Sequence, residues 1–142
     1  MTAGTAVGVL LDTNVVLDAL LKRAPFVQEA RAIFQKAEAG EIRAFVGATT
    51  VTTIDYLAAR ALGRRDARKL LALILELCEV APVTRAVIVD AISSPIADFE
   101  DAVLCHAAIQ SNVGTIITRN AKDFKGSGLD VLTPREWLAT QA

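Results

Sequence analysis

Residues 7–17 read VGVLLDTNVVL, a run of branched aliphatic side chains that Asp-Thr-Asn interrupts before the apolar pattern resumes at helical spacing. The first half predicts a buried strand, and the second half predicts a helix packed against it. Asp12 therefore falls where a buried strand ends, and ligands of α/β sheets collect at the carboxyl ends of the strands. A carboxylate held there is well placed beside a metal ion or a phosphate. Helix capping by Asp12, Thr13 or Asn14 is an equally good interpretation unless other carboxylates converge on Asp12.

The composition is typical of a well-buried globular protein. The 142 residues are 53% hydrophobic, 22% charged and 5% aromatic, so we expect a single domain over residues 1–142 with a large core. The formal net charge of −1 gives no overall attraction to nucleic acid, so a polyanion would need a local patch. The first apolar run contains Asp12 and Asp18 and has no basic leader, which argues against a signal peptide and a membrane span. We therefore expect a cytoplasmic protein, with Cys78 and Cys105 as buried thiols.

Strands and helices alternate along the sequence. Further strands are predicted at residues 42–47, 78–83, 115–118 and 131–132, and apolar helical patterns lie between most of them. This alternation favours right-handed β-α-β crossovers. The predicted fold class is α/β, a three-layer α/β/α sandwich around a central, mainly parallel sheet. Asp18, within the first predicted helix, is expected to face solvent.

Four further acidic residues occupy positions that bear on a site at the strand ends. Asp55 lies in the middle of the third predicted helix, where a metal ion or an arginine would have to compensate its burial and where a solvent-facing position is the alternative. Asp98 and Asp101 lie three residues apart in the first turn of an almost wholly apolar helix, so they share a face, although Asp98 could be only the cap. Asp123 comes shortly after the fourth predicted strand. These residues are candidates for one carboxylate cluster.

Carboxylates in such a cluster point to hard-metal chemistry. If Asp12, Asp55, Asp101 and Asp123 converge, they form a pocket of oxygen ligands, which suits Mg²⁺ or Mn²⁺. Carboxylates that repel one another need a cation, and a pair of ions about 4 Å apart activates water and stabilises the leaving oxygen of a phosphodiester. No zinc-motif spacing, Ser-His or Cys-His pairing, or Gly-rich phosphate loop is evident in the sequence. Metal-assisted hydrolysis is therefore the predicted chemistry.

Four segments together resemble a known family. They are LLDTN at 10–14, IDY at 54–56, DFEDA at 98–102 and ITRNAKDF at 117–124, and their order and spacing are similar to those of PIN domains. PIN domains are ribonuclease folds that include bacterial VapC-type toxins. The resemblance covers almost the whole chain and implies a three-layer α/β/α domain, Mg²⁺- or Mn²⁺-dependent cleavage of RNA, and frequent dimerisation.

The resemblance also assigns site residues. Asp12 and Asp101 match the most regular metal-ligand positions, and Asp98 matches an additional acid of one branch of the family. Asp123 lies in the fourth motif, where the acid can instead occupy the position of Asn120, so which of the two approaches the metal is open. Asp55 stands where the family usually has Glu, and its side chain is one methylene shorter.

These observations predict a cytoplasmic endoribonuclease that acts as the toxin of a toxin–antitoxin pair. Its predicted partners are RNA, a cognate antitoxin protein and a second copy in a homodimer, with no membrane. The residues predicted to be catalytic are Asp12, Asp55, Asp101 and Asp123, those predicted to hold metal are Asp12, Asp98 and Asp101, and those predicted to bind substrate are Thr13, Asn14, Thr118, Arg119 and Asn120.

Two other functions are compatible with the sequence. A PIN-like module that binds RNA or a protein without cutting is suggested by Asp55 in place of Glu. A phosphoacceptor or phosphatase domain fits the length and Asp12, but it is weakened because Asp12-Thr13-Asn14 lacks a second acid two residues on.

Overall fold

Five parallel strands form a sheet at the centre of the computed structural model, which describes residues 6–142. The strands are β1 (Val7–Leu11), β2 (Ile42–Gly47), β3 (Cys78–Ala81), β4 (Thr115–Ile117) and β5 (Asp130–Leu132). Their order across the sheet is β3-β2-β1-β4-β5, and every neighbouring pair is parallel. The first strand in the sequence is therefore the middle strand, with the rest of the chain added first on one side of it and then on the other.

Helices cover both faces of the sheet. They are α1 (Thr13–Leu20), α2 (Val27–Glu38), α3 (Ala48–Leu62), α4 (Arg64–Leu77), α5 (Arg85–Ile92), α6 (Phe99–Gln110) and α7 (Pro134–Thr140). Side chains of α1 to α4 and α7 pack into the core on one face, and side chains of α5 and α6 pack into the core on the other. The structure thus confirms the predicted three-layer α/β/α sandwich.

The two cores follow from the alternation of side chains along each strand. Val9 and Leu11 of β1 enter the core beneath α1 to α4, whereas Leu10 enters the core beneath α5 and α6. In β4, Ile117 and Ile116 divide between the two cores in the same way. Because both faces are covered, consecutive residues of the central strand β1 are apolar, as expected of a parallel sheet, while Arg43 of β2 and Glu79 of β3 pair with each other at the surface.

The ends of some elements differ from the sequence prediction. Pro25 does not begin a helix, because the chain forms a turn in which the Phe26 N–H donates to the Arg23 carbonyl (3.0 Å), and α2 begins at Val27. The third strand ends at Ala81 rather than at residue 83. The capping box at Thr133 is present, and Cys78 and Cys105 are free and buried as predicted. Within residues 6–142, no helix combines the length and apolar character needed to cross a membrane.

Gly47, at the junction of β2 and α3, allows α6 to pack closely. A Cβ atom at this position would lie 2.5 Å from Cδ1 of buried Leu104. We expect Gly47→Ala to lower the free energy of unfolding by about 1–3 kcal/mol, the usual cost of overfilling a packed core. The measurement is urea unfolding followed by circular dichroism. Gly114→Ala is the matched control, since nothing lies within 4 Å of its added Cβ, and an equal loss in both variants would contradict the packing argument.

Candidate active site

The candidate site lies at the carboxyl ends of β1 and β4. These strands are neighbours in the sheet but not in the sequence, and they pair Leu10 with Ile116 and Leu11 with Ile117. Asp12 and Thr118 therefore leave the sheet side by side. This is the topological switch point of the fold, because the connections from the two strands lead to opposite faces, and it is where open α/β sheets bind ligands.

The Asp12 carboxylate is held by groups from both strands. Its Oδ2 accepts a hydrogen bond from the Thr118 hydroxyl (2.7 Å), and its Oδ1 accepts one from the Thr13 N–H (2.8 Å). The Thr118 oxygen in turn accepts the Asn120 N–H (3.0 Å). Asp12 is thus the N-cap of α1, as one interpretation of the sequence proposed, and it is also tied to the segment that follows β4.

Asp98 and Asp101 approach the same place from α6. Asp98 caps the helix, since its Oδ1 accepts the Asp101 N–H (2.9 Å). Asp98 is exposed, while Asp101 is half-buried against the sheet. The helix continues with Ala102, Val103 and Leu104 in the core, so its first turn is rigidly placed.

Several carboxylates lie close enough to Asp101 to act on its charge. Burial and, in decreasing order, the charges of Asp98, Asp12, Asp123 and Glu100 together raise the pKa of Asp101 to about 7. The pKa of Asp12 is also raised, mainly by burial and also by Asp123, although its hydrogen bonds to Thr118 and Thr13 and the positive charge of Arg119 oppose the shift. The acids of the site therefore disfavour one another's ionisation.

An open cleft of about 490 Å³ lies in front of these acids. Asp98, Asp101 and Asp123 line it together with Lys122 and Lys125. Asp123 belongs to the 3₁₀ turn Ala121–Phe124, which follows β4 directly and whose buried Phe124 anchors it to the core. The charge of Asp123 acts on Asp101, and the Asn120 backbone N–H donates to the Thr118 hydroxyl, so which of the two side chains approaches a metal stays a prediction.

Asp55 does not join this cluster. Its Oδ1 lies 3.2 Å from Arg68 Nε on the adjacent helix α4, and its side chain is 30% exposed. Its charge is not among those that raise the pKa of Asp12 or Asp101. The sequence analysis expected either a metal ion or an arginine to compensate this carboxylate, and in the structure the partner is Arg68. The expected convergence of Asp12, Asp55, Asp101 and Asp123 therefore holds for three of the four residues.

The residues predicted to bind substrate have different positions. Thr13 donates a hydrogen bond to Thr50 (3.1 Å), and Asn14 lies half-buried in the first turn of α1. Arg119 has an internal partner, since its Nε lies 2.8 Å from Asp18 Oδ2, and its charge is also close enough to Asp12 to lower the pKa of that carboxyl. Its predicted contact with substrate stays a prediction.

The expectation that Asp18 faces solvent is wrong. Its side chain is 1% exposed and lies between Arg23 and Arg119. The sequence did contain a signal, since residues 15–21 are apolar on every side except for this aspartate. A helix that is apolar all round is buried all round, so any acid within it needs an internal partner.

The residues present fit a hard divalent cation. Asp12, Asp98, Asp101 and Asp123 supply only oxygen ligands, and their mutual repulsion raises the pKa of Asp101. Within the part of the chain that is described, no three Asp, Glu, His or Cys side chains are close enough to form a ready-made metal site. The carboxylates would therefore have to draw together around an ion.

The protonation of Asp101 predicts a pH-dependent stability of the metal-free protein. The folded-state pKa of about 7 exceeds the ordinary value of 3.8, so the folded state binds the extra proton between these pH values and unfolding free energy falls as pH rises through this window. Above pH 7 we expect Asp101→Asn to be more stable than wild type by on the order of 1–2 kcal/mol, allowing for solvent screening of a partly exposed group.

This expectation is tested by urea unfolding in EDTA at several pH values. The extra stability of Asp101→Asn over wild type should shrink as pH falls from 8 to 4. The control is Asp130→Asn, at an exposed position on β5, whose stability relative to wild type should not change with pH in this way. A gain of equal size at all pH values would contradict the prediction.

The fold is a three-layer α/β/α domain with acidic residues gathered at the switch point of its parallel sheet. The family model for the PIN domain matches residues 8–122. The chain belongs to the PIN domain family.

Solved structures share the fold at low sequence identity. VapBC2 from Rickettsia felis, bound to a DNA fragment from its promoter, has a TM-score of 0.70 and 15% identity, with 88% of this chain and 97% of that chain covered. A toxin–antitoxin complex from Klebsiella pneumoniae has a TM-score of 0.67 and 23% identity, covering 89% and 97%. VapC20 from Mycobacterium tuberculosis, a toxin that cleaves the sarcin-ricin loop, has a TM-score of 0.60 and 14% identity, covering 76% and 86%. No protein of curated function matches the sequence.

Proposed function

We propose that the protein is a Mg²⁺- or Mn²⁺-dependent endoribonuclease that hydrolyses phosphodiester bonds in RNA. The observation that carries the proposal is the convergence of Asp12, Asp98, Asp101 and Asp123 at the switch point, with the pKa of Asp101 raised to about 7. Asp12, Asp98 and Asp101 would hold the metal, which when bound activates a water and stabilises the leaving oxygen.

The remaining residues would orient and bind. Thr118 and the Thr13 N–H hold the Asp12 carboxylate through its two oxygens, so the other carboxylates would draw in around it when an ion binds. Asp123 would complete the acidic pocket on the open side, and Thr13, Asn14 and Asn120 surround Asp12 as candidates for contacts with the phosphate. Lys122 and Lys125 line the same cleft, where their charges would attract phosphate oxygens.

The direct test uses purified protein and a mixed-sequence RNA in Mn²⁺, in Mg²⁺ and in EDTA. We expect internal cleavage with either ion and none in EDTA. Calorimetric titration with Mn²⁺ should detect binding that Asp101→Asn abolishes. Because this titration needs no RNA, it tests the metal site even before the target sequence is known.

We further propose that the protein is the toxin of a toxin–antitoxin pair and forms a homodimer. Support comes from its similarity to VapBC-type structures and from an apolar groove of about 260 Å³, lined by Leu20, Phe34, Leu70, Leu73 and Leu77, that a partner's apolar side chains would fill. A small neighbouring reading frame whose product copurifies with this chain would support the antitoxin. Light scattering of the chain alone tests the dimer.

A binding module that does not cut is the second candidate. The observation in its favour is that Asp55, where the family usually has Glu, is paired with Arg68. Retained RNA binding without turnover in any divalent ion would establish this function instead.

A further inference from the structure

Two partly exposed arginines form an ion-pair cluster with a buried aspartate next to the segment that follows β4. Asp18 of α1 is 1% exposed and faces two arginines. Its Oδ1 accepts a hydrogen bond from Arg23 Nε (2.9 Å) and a longer one from Arg119 Nη2 (3.4 Å). Arg119 Nε is also 2.8 Å from Asp18 Oδ2, at ion-pair distance but without the direction of a hydrogen bond. The Arg119 guanidinium is covered by the Phe26 ring, whose centroid is 4.0 Å from Cζ.

The two arginines join Asp18 to different parts of the chain. Arg23 lies just after α1, so its contact is local. Arg119 lies in the segment after β4, 101 positions away, between Thr118 and Asn120. Thr118 is the residue whose hydroxyl holds Asp12, and Asp12 is the N-cap of the helix that carries Asp18. The Asp18–Arg119 pair therefore connects the body of α1 to the turn that holds the carboxylate at its beginning.

Stability alone does not explain this cluster. Removing charges from water is costly, and well-packed apolar side chains of similar size are often as stable as a buried ion pair or more so. The helix that carries Asp18 also contributes Val15, Leu17 and Ala19 to the apolar core. An apolar contact would lack direction, whereas a charged partner that also accepts a hydrogen bond restricts the orientation of the arginine and of its backbone.

We propose that the Asp18–Arg119 ion pair positions the Thr118–Asn120 turn and so fixes the Asp12 carboxylate for metal binding. Asp18 and Arg119 are thus positioning residues. The effect of these two residues on catalysis rests on the proposed function. Their effect on the orientation of Asp12 does not, because that orientation can be measured in the folded chain without RNA. The positioning role also replaces the predicted role of Arg119 as a ligand of the substrate.

The test compares Arg119→Met with Arg23→Met. Both variants remove one arginine from the same carboxylate, but only the first releases the turn after β4. We expect Arg119→Met to weaken Mn²⁺ binding roughly tenfold, the usual effect of losing an outer-shell support, and to lower kcat with KM for RNA unchanged. Arg23→Met should leave Mn²⁺ affinity and kcat within about twofold of wild type.

A variant of Asp18 separates positioning from substrate binding. Because Asp18 is 1% exposed, it cannot touch RNA, yet Asp18→Asn should reproduce the loss seen in Arg119→Met. If Arg119→Met does not fold, Arg119→Lys replaces it in the same experiment. This substitution keeps the positive charge but removes the planar guanidinium that contacts Asp18. A rise in KM alone in the Arg119 variants would overturn the proposal and make Arg119 a substrate ligand. Equal losses in Arg23→Met and Arg119→Met would overturn it as well.

A further measurement separates failure of this inference from failure of the proposed function. The Asn120 N–H is bonded to the Thr118 hydroxyl, so its hydrogen exchange reports on the turn directly. Exchange should accelerate in Arg119→Met and not in Arg23→Met, even if wild type cleaves no RNA and binds no Mn²⁺. Unchanged exchange in a folded Arg119→Met protein would show that the ion pair does not hold the turn.

Discussion

Asp101→Asn is expected to lower RNA cleavage, at a Mn²⁺ concentration that saturates wild type, by roughly 10³-fold, which corresponds to about 4 kcal/mol of transition-state stabilisation. The substitution keeps the shape of the side chain but replaces a carboxylate by a neutral amide, which binds hard cations weakly. Asp101 lies in the first turn of α6, whose following residues are fixed in the core, so its loss cannot be recovered by movement of the helix. The measurement is the single-turnover rate on a labelled RNA, with circular dichroism to confirm folding.

Glu100→Gln is the control for this prediction. Glu100 is the preceding residue of the same helix turn, is exposed, and contributes the smallest of the charges that raise the pKa of Asp101. The rate of this variant should remain within roughly threefold of wild type, as for surface changes that remove no ligand. A folded Asp101→Asn protein that cleaves at the wild-type rate would refute the assignment of the site.

Mn²⁺ affinity is expected to fall by up to about tenfold for each pH unit below 7. A metal ion binds the ionised carboxylate, and at a pKa of about 7 the proton of Asp101 must leave before the metal can bind. Above this pH the carboxyl is already ionised, so the affinity should level off. Calorimetric titrations at pH 6, 7 and 8, each in two buffers of different ionisation enthalpy, give both the affinity and the number of protons released.

Glu100→Gln again provides the comparison, because it should retain metal binding. Its charge raises the pKa of Asp101 only slightly, so the affinity should show nearly the same dependence on pH. An affinity that does not change between pH 6 and 8, with no proton released, would contradict a role for Asp101 as a metal ligand.

The fold was predictable because its signals are local. The apolar runs at β1 and β2, the change to helical spacing after Asp12 and the capping box at Thr133 each involve neighbours in sequence. The convergence of Asp12, Asp101 and Asp123 was predictable by combining these elements with the rule that parallel strands present their carboxyl ends at one edge.

The remaining contacts depend on partners that no local pattern identifies. Asp55 has an arginine 13 positions away, on the next helix, and Asp18 has one 101 positions away. Whether an acid in an apolar helix faces solvent, a metal or an arginine depends on which side chain is brought opposite to it. The spacing of residues along one helix therefore shows that such an acid is unusual, but it does not identify the group that the acid contacts.

The central position of β1 determines when the site can exist during synthesis. Asp12 is synthesised well before Thr118, which fixes its carboxylate and follows 106 positions later. A growing chain with β1, β2 and β3 in place still lacks β4, which pairs with the other edge of β1, and the acids Asp98 and Asp101 at the start of α6. The candidate site therefore forms only after most of the domain has been synthesised.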